Sequence, residues 1–192
     1  MTAKVGILSL QGCIDPHANH LRALGAEVVF VRNPADLDGI EGLILPGGES
    51  TTMIRVAKAY GVWEPLRSAA ARMPFWGICA GSILMARKVE NPEQESLGVM
   101  DLHVRRNAYG RQLESFQATV DLCAGGHEPA VFIRAPKFVS WGSGVKVAGK
   151  IGEEISFLDD GKHMVTAFHP ELTESGWFHK LFLRRVGDVG KA

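Results

Sequence analysis

The stretch Pro74-Phe75-Trp76-Gly77-Ile78-Cys79-Ala80-Gly81-Ser82-Ile83-Leu84-Met85-Ala86 restricts the fold more than any other part of the chain. A short apolar run meets Gly-x-Cys-x-Gly and passes directly into a second apolar run. This is the pattern of a buried strand, a tight turn carrying a nucleophile, and a helix. Residues flanking the nucleophile must be small for such a turn to close, and Gly77, Ala80 and Gly81 are small. The turn lifts the Cys79 sulfur above the sheet and aims the positive N-terminal end of the next helix at it. A buried structural cysteine is the ordinary alternative for a free thiol.

A chain of 192 residues with 46% hydrophobic and 22% charged content has the make-up of one globular domain, expected to span 1–192. Lys plus Arg equals Asp plus Glu at 21 each, so no global charge favours nucleic acid or an acidic membrane. The apolar run after Lys4 is too short for a secretory signal, and no run approaches a membrane span. Cys13, Cys79 and Cys123 are odd in number and widely spaced, which argues against a disulfide framework. A reducing cytoplasm is the expected location.

From the start, strands and helices alternate. Lys4 to Leu10 reads as a strand, and Asp15-Pro16 as an N-cap with proline at the first helical position of a helix running to about Leu24. Strands are expected at Glu27–Val31 and Gly42–Leu45, a polar loop at Asn33 to Asp38, and helices from Thr51 and from Val62 to Arg72. Such alternation implies a three-layer α/β fold with a mainly parallel sheet covered on both faces. Ligands then sit at the carboxyl ends of the strands. The turns after Leu45 and Ile78 lie there, as does Gln11. Beyond Val89 and a charged loop, short strand-like runs follow at about Asp101–Arg105, Ser115–Asp121, Ala130–Ile133, Phe138–Ser140 and Val145–Ile151. They read as an antiparallel excursion from the parallel core. His163 to Phe168 returns as a core strand, a helix from Glu174 to Val186 closes the fold, and the tail from Gly187 is expected to fray.

Two more runs bear on chemistry. In Phe168-His169-Pro170-Glu171-Leu172, extended backbone would place His169 and Glu171 side by side, because i and i+2 point the same way and Pro170 restricts the residue before it. Glu171 would then orient the His169 imidazole toward a nucleophile. In Leu45-Pro46-Gly47-Gly48-Glu49-Ser50-Thr51, glycines let backbone N–H groups converge on an anionic oxygen. No Gly-Lys-Ser/Thr follows, so an oxyanion hole formed by the Gly48 and Ala80 N–H groups fits better than a phosphate loop. Asp15, His17 and His20 share a helix face, but with the aspartate read as a cap they do not make a metal site.

Gly-Ile-Cys-Ala-Gly, Pro-Gly-Gly-Glu-Ser-Thr-Thr-Met and Phe-His-Pro-Glu-Leu, in this order, resemble the class I, triad-type glutamine amidotransferases, which have a flavodoxin-like α/β fold. The closer resemblance is to the glutaminase subunits of pyridoxal 5'-phosphate synthase. It rests also on Gly6 to Gly12, on Arg106-Asn107-Ala108-Tyr109-Gly110-Arg111-Gln112 with Glu114-Ser115-Phe116, and on Phe132-Ile133-Arg134-Ala135-Pro136, and it extends from about Val5 to Phe182. It implies hydrolysis of L-glutamine to L-glutamate and ammonia through a γ-glutamyl thioester on Cys79. His169 would be the acid–base and Glu171 its orienting partner. Gly47, Gly48, Glu49, Ser50, Arg106, Ile133 and Arg134 would contact glutamine. No cofactor or metal is implied.

The matching pieces consume the chain, leaving none for a synthase domain. The resemblance therefore implies a hetero-oligomer with a separate TIM-barrel pyridoxal 5'-phosphate synthase subunit, with Gln11 near the interface and coupled to it. Neither nucleic acid nor a membrane is expected as a partner. The glutaminase of another pathway and a related cysteine hydrolase or deglycase are the rival readings, as is a subunit that kept the fold and lost the reaction. Cys13 departs from the family pattern, where a plain small or apolar residue is expected.

Overall fold

The computed structural model describes residues 2–107 and 115–189. The part of the Arg106 motif beyond Asn107, together with Glu114, lies outside the described residues.

The first half builds the parallel core. β1 (Lys4–Leu8), α1 (Asp15–Ala23), β2 (Glu27–Val31), β3 (Gly42–Leu45), α2 (Ser50–Ala59), α3 (Trp63–Arg72) and β4 (Phe75–Ile78) follow one another. β3 and β4 are buried along their whole length, as strands covered on both faces must be. A six-residue helix, α4 (Ala80–Met85), runs straight into β5 (Ala86–Glu90), so the helix after the cysteine turn is shorter than the apolar run suggested. The second half contributes β6 (Met100–Arg105), β7 (Ser115–Leu122), β8 (His127–Ile133), β9 (Lys137–Trp141), β10 (Lys146–Ile151), β11 (Glu154–Asp159) and β12 (Met164–Thr166), closed by α5 (Trp177–Val189).

Among the described residues nine strands form the main sheet in the order β2-β1-β3-β4-β12-β11-β10-β7-β8. The first five are parallel and the last four extend the same sheet antiparallel. β5, β6 and β9 form a separate small sheet. The chain steps one way from β1 to β2 and the other way from β3 to β4. Right-handed crossovers therefore put α1 on one face and α2 and α3 on the other. α1 packs on α5, and α2 on α3 and α4, which completes the three layers. One apolar core joins Leu43, Ile44 and Leu45 to Trp76, Phe168, Phe178 and Phe182.

Several expectations shift. Asp15 is not a cap: Ile14 holds the N-cap position without a side-chain hydrogen bond, and Asp15 and Pro16 are already in the first turn. β1 ends at Leu8, before the backbone turns toward Gln11. Asn33 to Asp38, expected as a loop, contains a short 3-10 turn at Pro34–Leu37 capped by Asn33. β12 spans three residues, not the six from His163 to Phe168. α5 starts later than Glu174 and continues through Gly187 and Asp188, where fraying was expected.

Candidate active site

Parallel pairing brings the carboxyl ends of β1, β3, β4 and β12 level. Leu45 pairs with Gly77, and Ile78 with Thr166. Loops leaving those strands carry Gln11, Gly47, Cys79 and His169 respectively. They meet at the carboxyl ends of the parallel strands, which is where open α/β sheets bind ligands.

Cys79 sits between β4 and α4 with φ 48° and ψ −102°, a strained backbone state for a residue with a side chain. Its surroundings hold it there. The Cys79 N–H donates to the Thr166 carbonyl at 2.8 Å, and the Ser82 hydroxyl donates to the Cys79 carbonyl at 2.6 Å. The small flanking residues are needed for close approach. A Cβ on Gly77 would stand 2.7 Å from the Gly81 backbone, and one on Gly81 would stand 1.9 Å from the Leu45 carbonyl oxygen. The side chain is mostly buried, with Sγ 3.8 Å from the Ile133 carbonyl.

His169 reaches the sulfur from the other side. Its N–H donates to the Val131 carbonyl at 2.7 Å, bridging β8 to the loop after β12. Pro170–Leu172 then forms a 3-10 turn, so His169 and Glu171 meet around a tight turn instead of along extended backbone. Nδ1 of His169 lies 2.7 Å from Oε1 of Glu171. Burial alone would push the imidazole down. Hydrogen bonding and charge from Cys79, and then from Glu171, outweigh it and raise His169 to about 10. Burial likewise pushes Glu171 up, but His17 and His169 hold the carboxyl below its usual range. Burial lowers His17 to about 4, so near neutrality the positive charge facing Glu171 comes from His169.

Above the sulfur opens a cavity of about 270 Å³, small beside a drug pocket and sized for a molecule such as an amino acid. Cys79, Ala80 and His169 line its floor, and Gly48, Glu49 and Ser50 one wall. Arg106, Ile133, Arg134 and Gln11 complete the lining. Gly47 lies outside this lining but against His169: a Cβ there would be 2.2 Å from Cε1 of the ring. Glu49 caps α2, accepting from the N–H groups of Thr51 and Thr52 at 3.0 and 2.7 Å. Its Oε1 also lies 3.4 Å from an Arg106 nitrogen. Burial raises this carboxyl and the Thr52 and Thr51 hydrogen bonds more than reverse it. The Ser50 hydroxyl donates to Gln94. Arg134 adopts φ 43°, a strained state at the cavity wall. Gln11 accepts from the Glu49 N–H at 2.9 Å, which ties the β1 loop to the Gly47-Gly48 loop. The Cys13 N–H adds a second tie to the Gly47 carbonyl at 2.9 Å.

Asn107, Ile83 and Pro136 also line the cavity, and sequence reasoning assigned them no site role. Asn107 and Pro136 stood inside the recognised motifs, which was the available signal. Cys13, noted only as a departure, packs beside Glu171. Burial first, then the Glu171 carboxylate, pushes its thiol up to about 12.

The α/β/α layering, the cysteine at a strand–helix turn and the histidine–carboxylate pair across the cavity define a class I glutamine amidotransferase-like protein. Residues 7–188 match the model of the SNO glutamine amidotransferase family. The chain is 46% identical to the pyridoxal 5'-phosphate synthase subunit PdxT of Deinococcus radiodurans over 96% of this chain and 97% of that one. It is 44% identical to the PdxT of Pelotomaculum thermopropionicum over 98% and 97%. A solved glutamine amidotransferase structure superimposes with TM-score 0.90 at 41% identity, covering 95% of this chain and 98% of the other. The chain belongs to the SNO glutamine amidotransferase family.

Proposed function

We propose that this chain is the glutaminase of a pyridoxal 5'-phosphate synthase, hydrolysing L-glutamine to L-glutamate and ammonia. The observation that carries the reading is a strained, anchored Cys79 facing His169, with His169 hydrogen-bonded to Glu171 in a cavity lined by Arg106, Arg134 and Gly48. The Cys79 sulfur attacks the side-chain amide carbon, and the Gly48 and Ala80 N–H groups take the oxyanion, each such donor contributing about 3 kcal/mol. On collapse the C–N bond breaks. His169 gives its proton to the departing nitrogen and leaves a γ-glutamyl thioester. The neutral imidazole then takes a proton from water, hydroxide adds to the thioester, and glutamate leaves as the Cys79 sulfur is restored. Glu171 keeps Nδ1–H of His169 pointing at itself, so that Nε2 serves the sulfur and the substrate.

Arg106 and Arg134 suit the α-carboxylate of glutamine, and Glu49, Ser50, Gly48 and Ile133 complete the contacts, while Gly47 backs the His169 ring instead. One amidotransferase domain over the chain, working in a reducing cytoplasm, accords with the shared core and with Cys13, Cys79 and Cys123 being free. The relatives' designation as synthase subunits supports a separate acceptor for the ammonia. We assign that role to a TIM-barrel subunit docking over the Gln11 and Gly47-Gly48 loops. Those loops are cross-tied, so a contact at one is felt at the oxyanion site. Among the described residues no helix is long and apolar enough to cross a membrane.

Glutamine mixed with stoichiometric protein and quenched in acid is expected to give a γ-glutamyl adduct on Cys79 by mass spectrometry, absent in Cys79→Ala. Ammonia release is expected to rise on adding the synthase subunit. No adduct at Cys79 would refute the mechanism, and equal rates with and without the partner would refute the coupling.

A further inference from the structure

Behind Glu171, away from the cavity, lies a buried row of imidazoles that the reaction above does not use. His17 on α1 and His179 on α5 are both fully buried. Nε2 of His17 stands 3.6 Å from Oε2 of Glu171, and Nδ1 of His17 stands 2.9 Å from Nε2 of His179. Trp76 is edge-on to both rings, and His20 stacks on His179 at 4.4 Å. Among the described residues, the Nε2 of His17, the Oε2 of Glu171 and the Nδ1 of His179 have no hydrogen-bond partner within ordinary distance.

Burial lowers His17 to about 4 and His179 to about 2, so both rings are neutral near pH 7. Each then carries one N–H, and the 2.9 Å contact admits two arrangements. If His17 Nδ1–H donates to His179, the bare Nε2 of His17 faces a carboxylate oxygen, lone pair against lone pair. His179 must then bury an N–H with no acceptor. If His179 Nε2–H donates to His17, the His17 Nε2–H points at Glu171 Oε2, and only an acceptor lone pair on His179 Nδ1 stays unmet. A buried orphan donor is rarer and costlier than an under-used acceptor, and the charge of Glu171 adds to the preference.

We propose that His179 and His17 are positioning residues, forming a one-way row of N–H donors that ends on the second oxygen of Glu171 and holds its first oxygen on His169. At 3.6 Å the last link is an N–H dipole aimed at the carboxylate, of the kind that tightens when a resting site is occupied. The role in catalysis rests on the glutaminase reading; the direction of the row does not. Cys13, His20 and His169 are the other titratable groups facing His17 or Glu171, and of these the Cys13 thiol also hydrogen-bonds Glu171, so the row shares that carboxylate with one further donor.

The test labels the intact chain with 15N-histidine and reads ring tautomers by NMR. His17 and His179 are both expected as Nε2–H tautomers with slowly exchanging protons, their signals assigned by loss in His17→Gln and His179→Gln. A His17 Nδ1–H tautomer would overturn the proposal. A matched pair of variants reads the consequence. In His17→Gln the amide nitrogen falls where Nε2 was and still donates to Glu171. In His17→Asn it falls where Nδ1 was and cannot reach. With the synthase subunit present, ammonia release is expected to stay near wild type for Gln and to drop about tenfold or more in kcat for Asn, with KM unchanged. Equal kcat for the two variants would refute the positioning role. Failure of the wild type to release ammonia would sink the glutaminase reading instead, while the tautomers would still decide the direction of the row.

Discussion

A methyl group at residue 47 would stand 2.2 Å from Cε1 and 2.8 Å from Nδ1 of His169. The ring is the movable party, so Gly47→Ala is expected to displace His169 from Glu171 and leave the fold intact. A misplacement of about 1 Å is worth on the order of a hundredfold in rate. Steady-state ammonia release against thermal melting checks this: a loss of about a hundredfold with an unchanged melting temperature is the expected result. Cys79 and the His169–Glu171 pair were legible as residues, because an elbow and a His-Pro-Glu run impose local geometry. The backbone between His169 and Glu171 was not. His169 itself stays outside the helical region, as a residue before proline should, but the chain then turns at Pro170–Leu172 after the bridge to Val131, which no local pattern announces.

At the scale of elements, α4 lies so close to β3 that a Cβ on Gly81 would meet the Leu45 carbonyl oxygen at 1.9 Å. Backbone cannot step aside as a flexible side chain can. Gly81→Ala is expected to cost about 3 kcal/mol, read as a lowered urea midpoint with unchanged slope. Cys79→Ala, in the same turn, should leave the midpoint near wild type. The shortness of α4 escaped the sequence because Ile83-Leu84-Met85-Ala86 is apolar throughout, and a uniformly buried run does not reveal whether it coils or extends. β11 escaped for a related reason. Its start, Glu154, follows the two-residue turn Gly152-Glu153, in which Gly152 takes φ 53°. That hairpin lacks the Asn-Gly or Asp-Gly pair that marks such turns most clearly.

For the molecule as a whole, buried histidines set the response to acid. Burial holds His17 and His163 at about 4 and His179 at about 2, against 6.5 for an ordinary imidazole. Below about pH 6.5 the unfolded chain takes up protons that the folded chain refuses, so stability falls as pH drops from about 6.5 toward about 4. His169 acts in the opposite sense. Raised to about 10, it contributes stability present below about 6.5 and lost as pH rises through about 10. His163 offers a clean test away from the cavity. Its Nδ1 accepts from the Phe75 N–H, a role the side-chain oxygen of asparagine fills without titrating. His163→Asn is expected to flatten the fall in unfolding free energy between pH 6 and 5 by roughly 1.4 kcal/mol per pH unit, one proton's worth. An unchanged slope would show that His163 titrates normally in the fold.

By itself the sequence determined the order of strands and helices in the first half, the cysteine turn and the residues gathered at the strand ends. Each of these follows from contacts between neighbours in the chain or from the layering that alternation forces. Tertiary structure alone decided that the antiparallel strands join the main sheet through β11, the second use of Glu49 as a helix cap, and the imidazoles ranged behind Glu171. His17 and His179 are far apart in sequence, and no local pattern pairs them. They meet because α1 and α5 pack on one face of the sheet, a consequence of crossover handedness and core burial.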